Sequence, residues 1–414
     1  MLTRRIFLRG SAMVMAGAGS VPFWLGRAAA STGGRRKVLV AIFQRGAADG
    51  LNVVVPFAEK RYYELRPTIG IAAPGKSGQG NSAIDLDGRF GLHPSLQPLK
   101  DLWDRQMLAI VEATGSPDPS RSHFDAQDYM ESGTPGMKRD GWLNRALPPA
   151  TPDSSPLRAI ALSATLPRTL QGDREAIAIN DVQQFHAAEN TAAIVESMYA
   201  NSVDKRLAAA GKDAFAAMHM LDSLNRTPYN PSNGAQYGQG GELGRSLQQI
   251  ARLIKADAGV ETAFAEIGGW DHHQSEPGQL FTVLRQFAGA LSAFCTDMGD
   301  RMEDIVLVTM SEFGRTAREN GNNGTDHGHG DAMFVMGGPV RGGKIYGKWP
   351  GLEEEQLYEG RDLAVTTDFR AVLSELVAGQ LGTTDLAEVF PGYRAGQPLG
   401  LLKSSSMATG TRNL

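Results

Sequence analysis

Three residues of types that often bind metal ions are packed into the heptapeptide GTDHGHG, residues 324–330. Asp326, His327 and His329 offer one carboxylate and two imidazoles, which are usual ligands of zinc and similar divalent ions. The glycines between them allow backbone turns that direct neighbouring side chains at one point. A polar surface loop can have the same composition, so the heptapeptide has to be interpreted together with the rest of the chain.

Similar groups of polar side chains follow other apolar stretches of the sequence. They are Asp49 in QRGAADGLN, Ser122 and His123 in SPDPSRSHFDAQD, Asp271, His272 and His273 in GGWDHHQ, and Glu312 and Arg315 in SEFGRT. Four of the eight histidines fall between positions 272 and 329. This concentration favours one functional site over scattered surface histidines.

The apolar stretches themselves predict the elements that must position these side chains. Buried strands are predicted at 37–43, 107–113, 157–163, 260–267, 304–310 and 332–337, and amphipathic helices at about 94–104, 190–224, 241–257, 278–298 and 368–380. Alternating helices and continuous apolar strands predict an α/β fold with a mostly parallel central sheet flanked by helices. We expect a single domain over residues 31–414, with a helical insertion at about 190–257.

Functional residues of open α/β sheets collect beyond the carboxyl ends of the strands. Each of the polar groups above follows a predicted strand, with GTDHGHG a little further along the loop after 304–310. We therefore expect seven side chains to meet around one site: Asp49, Asp271, His273, Glu312, Asp326, His327 and His329.

Simpler structural roles remain open for several of these residues. Asp49 can shape a turn before Gly50, and Glu312 with Arg315 can form an ion pair across one helical turn. Ser122 and Asp125 have the spacing of a helix cap, although the start of a helix also suits a nucleophilic hydroxyl that meets an anion. The sequence does not decide between a cap and a nucleophile at Ser122, nor between His272 and His273 as a ligand.

The amino terminus has the pattern of an export signal. Arg4 and Arg5 precede an apolar run, and Ala28–Ala30 fits a small-residue cleavage site. The paired arginines indicate the twin-arginine (Tat) route, which exports folded proteins to the periplasm. A permanent membrane anchor is the alternative, but the run is short and Pro22 interrupts it. We predict that residues 1–30 are a Tat signal peptide.

Charge and cysteine content exclude several classes of protein. Residues 1–30 hold four of the 41 basic residues and no acidic residue, so the mature chain has 37 basic and 45 acidic residues, a net charge near −8. This balance argues against nucleic acid or an anionic membrane surface as the partner. The one cysteine, Cys295, lies in an apolar helix-like stretch and is expected to be buried.

The motifs, in this order along nearly the whole mature chain, resemble a family of exported proteins known as domain of unknown function 1501. The recurrent blocks are RGAADGLNVVVP, SHFDAQDYMESG, DGWLNRAL, GGWDHHQ, SEFGRT and GTDHGHG. That family is similar in turn to the alkaline phosphatase and sulfatase superfamily. The resemblance implies an alkaline-phosphatase-like α/β fold with two divalent metal ions.

The resemblance also implies roles for individual residues. Asp49 matches the first metal ligand and Ser122 the nucleophile, while Asp271 and His273 resemble the first Asp/His pair. Glu312 matches the acidic residue of a second pair, but Phe313 replaces its histidine. Asp326 and His327 would compensate for the missing histidine, and His329 would correspond to the last histidine of the superfamily pattern. Arg315 or His123 would hold the anionic oxygens of the substrate.

The activity that the resemblance implies is metal-dependent hydrolysis of phosphate or related sulfate-type esters. The attacking group would be a hydroxyl or a metal-bound water. Sulfatases that use formylglycine need Cys or Ser where this chain has Pro117, so that route is closed. Small-molecule or polymer esters are the expected substrates, and the Tat translocase is the partner during export. The alternative is a non-enzymatic envelope protein that retains the fold and a structural metal.

Overall fold

The computed structural model describes residues 35–75, 81–184 and 205–403. The predicted signal peptide lies outside the described residues, as does the first part of the predicted helical insertion, residues 190–204. Within the described part, no helix has both the length and the apolar character needed to span a membrane.

A nine-stranded sheet forms the centre of the described chain. Its strands are β1 (Val38–Gln44), β5 (Leu108–Gly115), β6 (Ala159–Ala161), β7 (Ile177–Ala178), β8 (Thr262–Ile267), β9 (Ile305–Ser311), β10 (Asp331–Gly337), β11 (Lys344–Tyr346) and β12 (Thr367–Asp368). Their order is β11-β5-β10-β9-β1-β8-β6-β7, and β12 also pairs with β5. The short strands β2 (Val54–Val55), β3 (Ile84–Asp85) and β4 (Gly91–Leu92) form a separate sheet. All six predicted strands are therefore present.

The central sheet is mostly parallel, as predicted, with β10 as the exception. Strand β1 pairs in parallel with both β8 and β9, whereas β10 runs antiparallel to both β5 and β9. Asp331, the first residue of β10, consequently pairs with Thr114 near the end of β5. The segment that enters β10 thus lies at the same edge as the loops that leave the parallel strands, and this segment is GTDHGHG.

Helices cover both faces of the central sheet. They are α1 (Gly50–Val53), α2 (Lys60–Leu65), α3 (Lys100–Asp104), α4 (His123–Ser132), α5 (Trp142–Ala146), α6 (Lys205–Asn225), α7 (Gly241–Lys255), α8 (Glu276–Met298), α9 (Phe369–Leu381) and α10 (Leu386–Val389). Apolar residues of α7 and α8 bury one face of the sheet, and those of α5 and α9 bury the other. Continuous apolar strands such as β1 have this pattern because both faces are covered.

The described part of the predicted insertion is helical, with α6 and α7 inside it. Cys295 lies buried in α8, as its apolar surroundings predicted.

Candidate metal centre

Three imidazoles and one carboxylate meet beyond the carboxyl edge of the sheet. His123 is the first residue of α4, Asp271 and His273 lie in the loop after β8, and His327 lies in the segment that enters β10. The Nε2 atom of His327 is 2.9 Å from Nε2 of His123 and 3.0 Å from Nε2 of His273. Asp271 Oδ1 lies 3.0 Å from His273 Nε2 and 3.3 Å from His327 Nε2, and its Oδ2 is 3.6 Å from His123 Nε2.

The opposite nitrogen of each imidazole faces a hydrogen-bond acceptor. Nδ1 of His123 is 2.8 Å from Glu312 Oε1, and Nδ1 of His273 is 2.9 Å from Asp326 Oδ1. Nδ1 of His327 is 3.0 Å from the carbonyl oxygen of Arg121. A proton on each Nδ1 satisfies these contacts and leaves each Nε2 lone pair directed at the others. This is the arrangement that orients metal-binding histidines in proteins.

Lone pairs at such short separations repel one another unless a proton or a metal cation lies between them. Two nitrogens that each lie ~2.0–2.1 Å from one ion are about 2.9 Å apart at a right angle and about 3.4 Å apart at the tetrahedral angle. The observed Nε2 separations of 2.9 and 3.0 Å are at the lower end of this range. Among the described residues, His123, Asp271 and His327 each bring one ligand atom to within 4.8 Å of the others, and these three could hold one divalent ion. His273 borders this set, with its Nε2 3.0 Å from His327 Nε2 and from Asp271 Oδ1.

Arg315 fixes the position of the Asp271 carboxylate. Its buried guanidinium donates to Asp271 Oδ1 at 2.7 Å, to the Thr325 hydroxyl at 3.1 Å and to the Thr325 carbonyl. Partial burial would raise the pKa of Asp271, but the hydrogen bond and charge of Arg315 hold it below its usual value. Asp271 is consequently ionised and available to a cation over a wide pH range.

Glu312 holds the His123 ring from the buried side of the site. Its Oε1 accepts hydrogen bonds from His123 Nδ1 at 2.8 Å, from the Gln127 side chain at 2.8 Å and from the Gly46 backbone N–H at 2.9 Å. Burial would raise the pKa of Glu312, but the hydrogen bonds from His123 and Gln127 lower it. The hydrogen bond to Glu312 in turn raises the pKa of His123. Glu312 thus holds the His123 ring rather than pointing at the ligand cluster itself.

Glycine at position 328 allows two backbone segments of the site to touch. Arg315 and His327 form an isolated antiparallel bridge. A Cβ atom at Gly328 would lie 2.3 Å from the carbonyl carbon of Arg315, so a larger residue cannot fit there. The glycine spacing of GTDHGHG therefore serves close packing of the loop that carries His327.

Two of the seven side chains that we expected to converge lie apart from this cluster. Asp49 is buried in an ion pair with Arg66, at 2.5 and 2.8 Å. His329 is buried against Tyr358, with ring centroids 4.4 Å apart and planes inclined by 24°. The other five are brought together: Asp271, His273 and His327 directly, and Glu312 and Asp326 through the imidazoles they hold. Of the two neighbouring histidines left open by the sequence, His273 reaches the cluster, and His272 is 1 % exposed.

Ser122 begins α4 between two residues that contribute to the cluster. Its neighbours are Arg121, whose carbonyl accepts from His327, and His123. Ser122 is exposed. Its hydroxyl makes no capping hydrogen bond to the backbone of α4, a helix that the structure describes in full. Asp125, three residues further along α4, pairs with Lys138 at 2.8 Å, and the hydrogen bond and charge of Lys138 lower the pKa of the Asp125 carboxyl. The hydroxyl is thus available at the rim of the site.

Sequence reasoning missed several supporting groups. Arg66 has no motif that identifies it as the partner of Asp49, because the two lie 17 positions apart and pair only through the fold. Gln127 follows His123 by one helical turn, and this spacing could have indicated a shared role. Phe313 packs its ring against His123 and His327 at centroid distances of 5.1 and 5.0 Å.

Comparisons with known proteins place this chain in a family. No curated protein matches it. Solved structures that match include a protein of the alkaline phosphatase superfamily from Vibrio parahaemolyticus (12 % identity, 73 % of this chain, 60 % of that chain, TM-score 0.31). The PsFucS1 sulfatase from Pseudoalteromonas sp. matches at 11 % identity over 93 % of this chain and 76 % of that chain, with a TM-score of 0.39. Thermus thermophilus alkaline phosphatase matches at 14 % identity over 68 % of this chain and 60 % of that chain, with a TM-score of 0.28.

This chain therefore spans 60 % of the length of the Vibrio protein. The model described as "Protein of unknown function (DUF1501)" covers residues 105–391, well over half of the sequence, and the chain belongs to that family.

Proposed function

We propose that this protein is an exported, metal-dependent hydrolase of phosphate or related sulfate-type esters. The observation that carries the proposal is that His123, Asp271 and His327 each bring one ligand atom to within 4.8 Å of the others. His273 Nε2 lies 3.0 Å from His327 Nε2 beside this set. His123, which the sequence suggested as a substrate-binding residue, becomes a metal ligand in this proposal. Glu312 and Asp326 become the residues that orient two of the imidazoles.

The exposure of the cluster favours a catalytic ion over a structural one. Structural ions are enclosed by their ligands, whereas catalytic ions keep a position open to substrate. The Asp271 side chain is 45 % exposed and the His273 side chain is 43 % exposed. An ion at this position would therefore be accessible to a ligand from solvent.

A divalent ion bound here would polarise a phosphoryl or sulfuryl oxygen and lower the pKa of a nearby hydroxyl. Ser122 is the candidate nucleophile, because it lies beside the cluster and its hydroxyl is exposed. Asp125 is held ionised by Lys138, 2.8 Å away, and lies three residues after Ser122 at the start of the same helix. Asp125 would orient the hydroxyl, and Arg315 would keep Asp271 in place during the reaction.

Export through the Tat route is the second part of the proposal. It rests on Arg4, Arg5 and the Ala28–Ala30 segment. The Tat translocase accepts folded proteins, so the cluster could be loaded with metal before or after export. The substrate would then be an ester that is accessible in the periplasm.

Metal analysis and an ester screen on the purified protein test the enzymatic proposal. We expect bound divalent metal, and hydrolysis of p-nitrophenyl phosphate, bis-p-nitrophenyl phosphate or p-nitrophenyl sulfate that a chelator abolishes. His327→Ala should lose both metal and activity. Ser122→Ala should retain metal and lose activity, whereas Ser154→Ala, in the loop before β6, should behave as wild type.

The outcomes separate the alternatives. If Ser122→Ala hydrolyses esters at the wild-type rate, Ser122 is not the nucleophile. If metal is bound but no ester in the screen is hydrolysed, the non-enzymatic envelope protein becomes the better explanation. If no divalent metal binds under any loading condition, the proposed function is refuted.

A further inference from the structure

Both oxygens of the Asp49 carboxylate are occupied by Arg66. Arg66 Nη1 donates to Asp49 Oδ2 at 2.5 Å and Nη2 donates to Oδ1 at 2.8 Å. The side chains of Arg66 and Asp49 are 0 % and 1 % exposed. Such a bidentate pair uses the parallel N–H groups of the guanidinium and is among the strongest charged contacts in proteins.

Two more N–H groups of Arg66 bond to backbone carbonyls. Nε donates to the Ala317 carbonyl at 2.9 Å, and Nη2 donates to the Thr316 carbonyl at 2.9 Å. These carbonyls belong to the loop that begins with Glu312 and Arg315 at the metal centre. Arg66 is therefore a fixed part of the site rather than a mobile surface arginine.

Glu276, the other carboxyl group near Asp49, is also fully engaged. Its Oε1 accepts from the Asn52 side chain at 3.0 Å and its Oε2 accepts from the Thr325 hydroxyl at 2.8 Å. Glu276 is 0 % exposed. A divalent ion beside Asp49 would have to displace these contacts and approach the Arg66 guanidinium, which carries a charge of the same sign.

Of the residues expected to complete a second ion site, Glu312 is committed elsewhere, because its Oε1 accepts three N–H groups and its Oε2 accepts from the Ser311 hydroxyl. His329 lies apart from the cluster, with its ring stacked on Tyr358. Among the described residues, the ligand set that remains directed at one point is His123, Asp271 and His327, with His273 beside it.

We propose that this chain binds one divalent ion rather than two, and that the Arg66 guanidinium permanently takes the place of a second cation beside Asp49. The inference rests on the proposed metal centre, because it assigns the single ion to that cluster. Asp49 then has a structural role instead of binding metal. Its ion pair with Arg66 ties the loop after β1 to the loop after β9.

Counting bound ions tests this inference without any measurement of activity. The full-length protein is stripped with a chelator, loaded with excess Zn²⁺ or Mn²⁺, and freed of unbound metal. The number of ions per chain is then measured by elemental analysis and by native mass spectrometry. We expect one ion per wild-type chain and none in His327→Ala.

A double variant, Asp49→Asn with Arg66→Met, examines the position beside Asp49. It removes both charges together, because loss of one partner alone would leave a buried, unpaired charge and endanger the fold. We expect this double variant still to bind one ion. If it does not fold, the wild-type and His327→Ala stoichiometries decide the question by themselves.

Two ions per wild-type chain would overturn the inference. A single ion that survives in His327→Ala and is lost in the double variant would also overturn it, because that ion would be bound beside Asp49. No ion in the wild type has a different meaning, since it refutes the proposed metal centre itself.

Discussion

Glu312→Gln is the substitution that most directly tests how the imidazoles are held. The carboxylate of Glu312 is 0 % exposed and accepts from His123 Nδ1 at 2.8 Å. Asp326 makes the equivalent contact with His273 Nδ1 at 2.9 Å, but its side chain is 56 % exposed. Both carboxylates hold one imidazole each, and they differ mainly in their access to solvent. Asp326→Asn is therefore the matched comparison.

The size of the expected effect follows from the position of each carboxylate. Loss of a residue that orients a metal-binding histidine typically weakens metal binding about 10- to 100-fold, which corresponds to about 1.4–2.7 kcal/mol. The hydrogen bond between the carboxylate and the imidazole is stronger where water is excluded, because the local dielectric constant is low. We therefore expect a loss of about 100-fold for Glu312→Gln and of about 10-fold or less for Asp326→Asn.

Competition with a chromophoric chelator measures both dissociation constants on one scale. Thermal unfolding of the metal-free variants shows whether either substitution disturbs the fold, and this control matters because Glu312 also accepts from Gln127 and from the Gly46 backbone. Wild-type affinity in Glu312→Gln would refute the reasoning. A greater loss in Asp326→Asn than in Glu312→Gln would refute it as well, because exposure would then have no bearing on the effect.

Three further predictions concern other parts of the chain. Burial lowers the pKa of His93 to about 4, so the folded state loses about 3 kcal/mol relative to the unfolded state as the pH falls from about 6.5 to about 4. Urea unfolding should show this loss in the wild type and a flatter profile in His93→Asn, and parallel profiles would contradict it. Gly328→Ala should cost about 1–3 kcal/mol or more, because its Cβ would lie 2.3 Å from Arg315, whereas Gly321→Ala meets nothing within 4 Å and should be nearly neutral in the same urea assay. Replacing both Arg4 and Arg5 with Lys should leave the precursor inside the cell in fractionation experiments, and normal periplasmic delivery of this variant would argue against the Tat signal.

The fold could be predicted in outline because apolar periodicity is a local signal. Each of the six predicted strands is a mostly apolar run, and the helices that cover them are amphipathic. The direction of β10 could not be predicted in this way. A strand has the same apolar pattern whichever way it runs, and β10 is antiparallel to both of its neighbours.

The location of the site could be predicted for a related reason, but the roles of its residues could not. Polar motifs after strands indicated which loops meet, and His273 and His327 do meet there. The division between ligands and the groups that orient them depends on which oxygen faces which nitrogen. Glu312 and Asp271 are both carboxylates that follow strands, yet Glu312 faces Nδ1 of His123 and Asp271 faces Nε2 atoms. No spacing in the sequence encodes that difference.

Two buried arginines explain how the chain positions its acidic residues without relying on an ion. Arg315 holds Asp271 and is anchored on Thr325, and Arg66 holds Asp49 and is anchored on the carbonyls of Thr316 and Ala317. Each arginine therefore links a carboxylate that follows a parallel strand to the segment between β9 and β10. Because this segment also carries His327, Arg315 brings the loops of Asp271 and His327 together, and Arg66 joins the loop after β1 to the same segment. The protein's own cations thus shape the site, and a metal ion would enter a cluster whose carboxylates are already fixed.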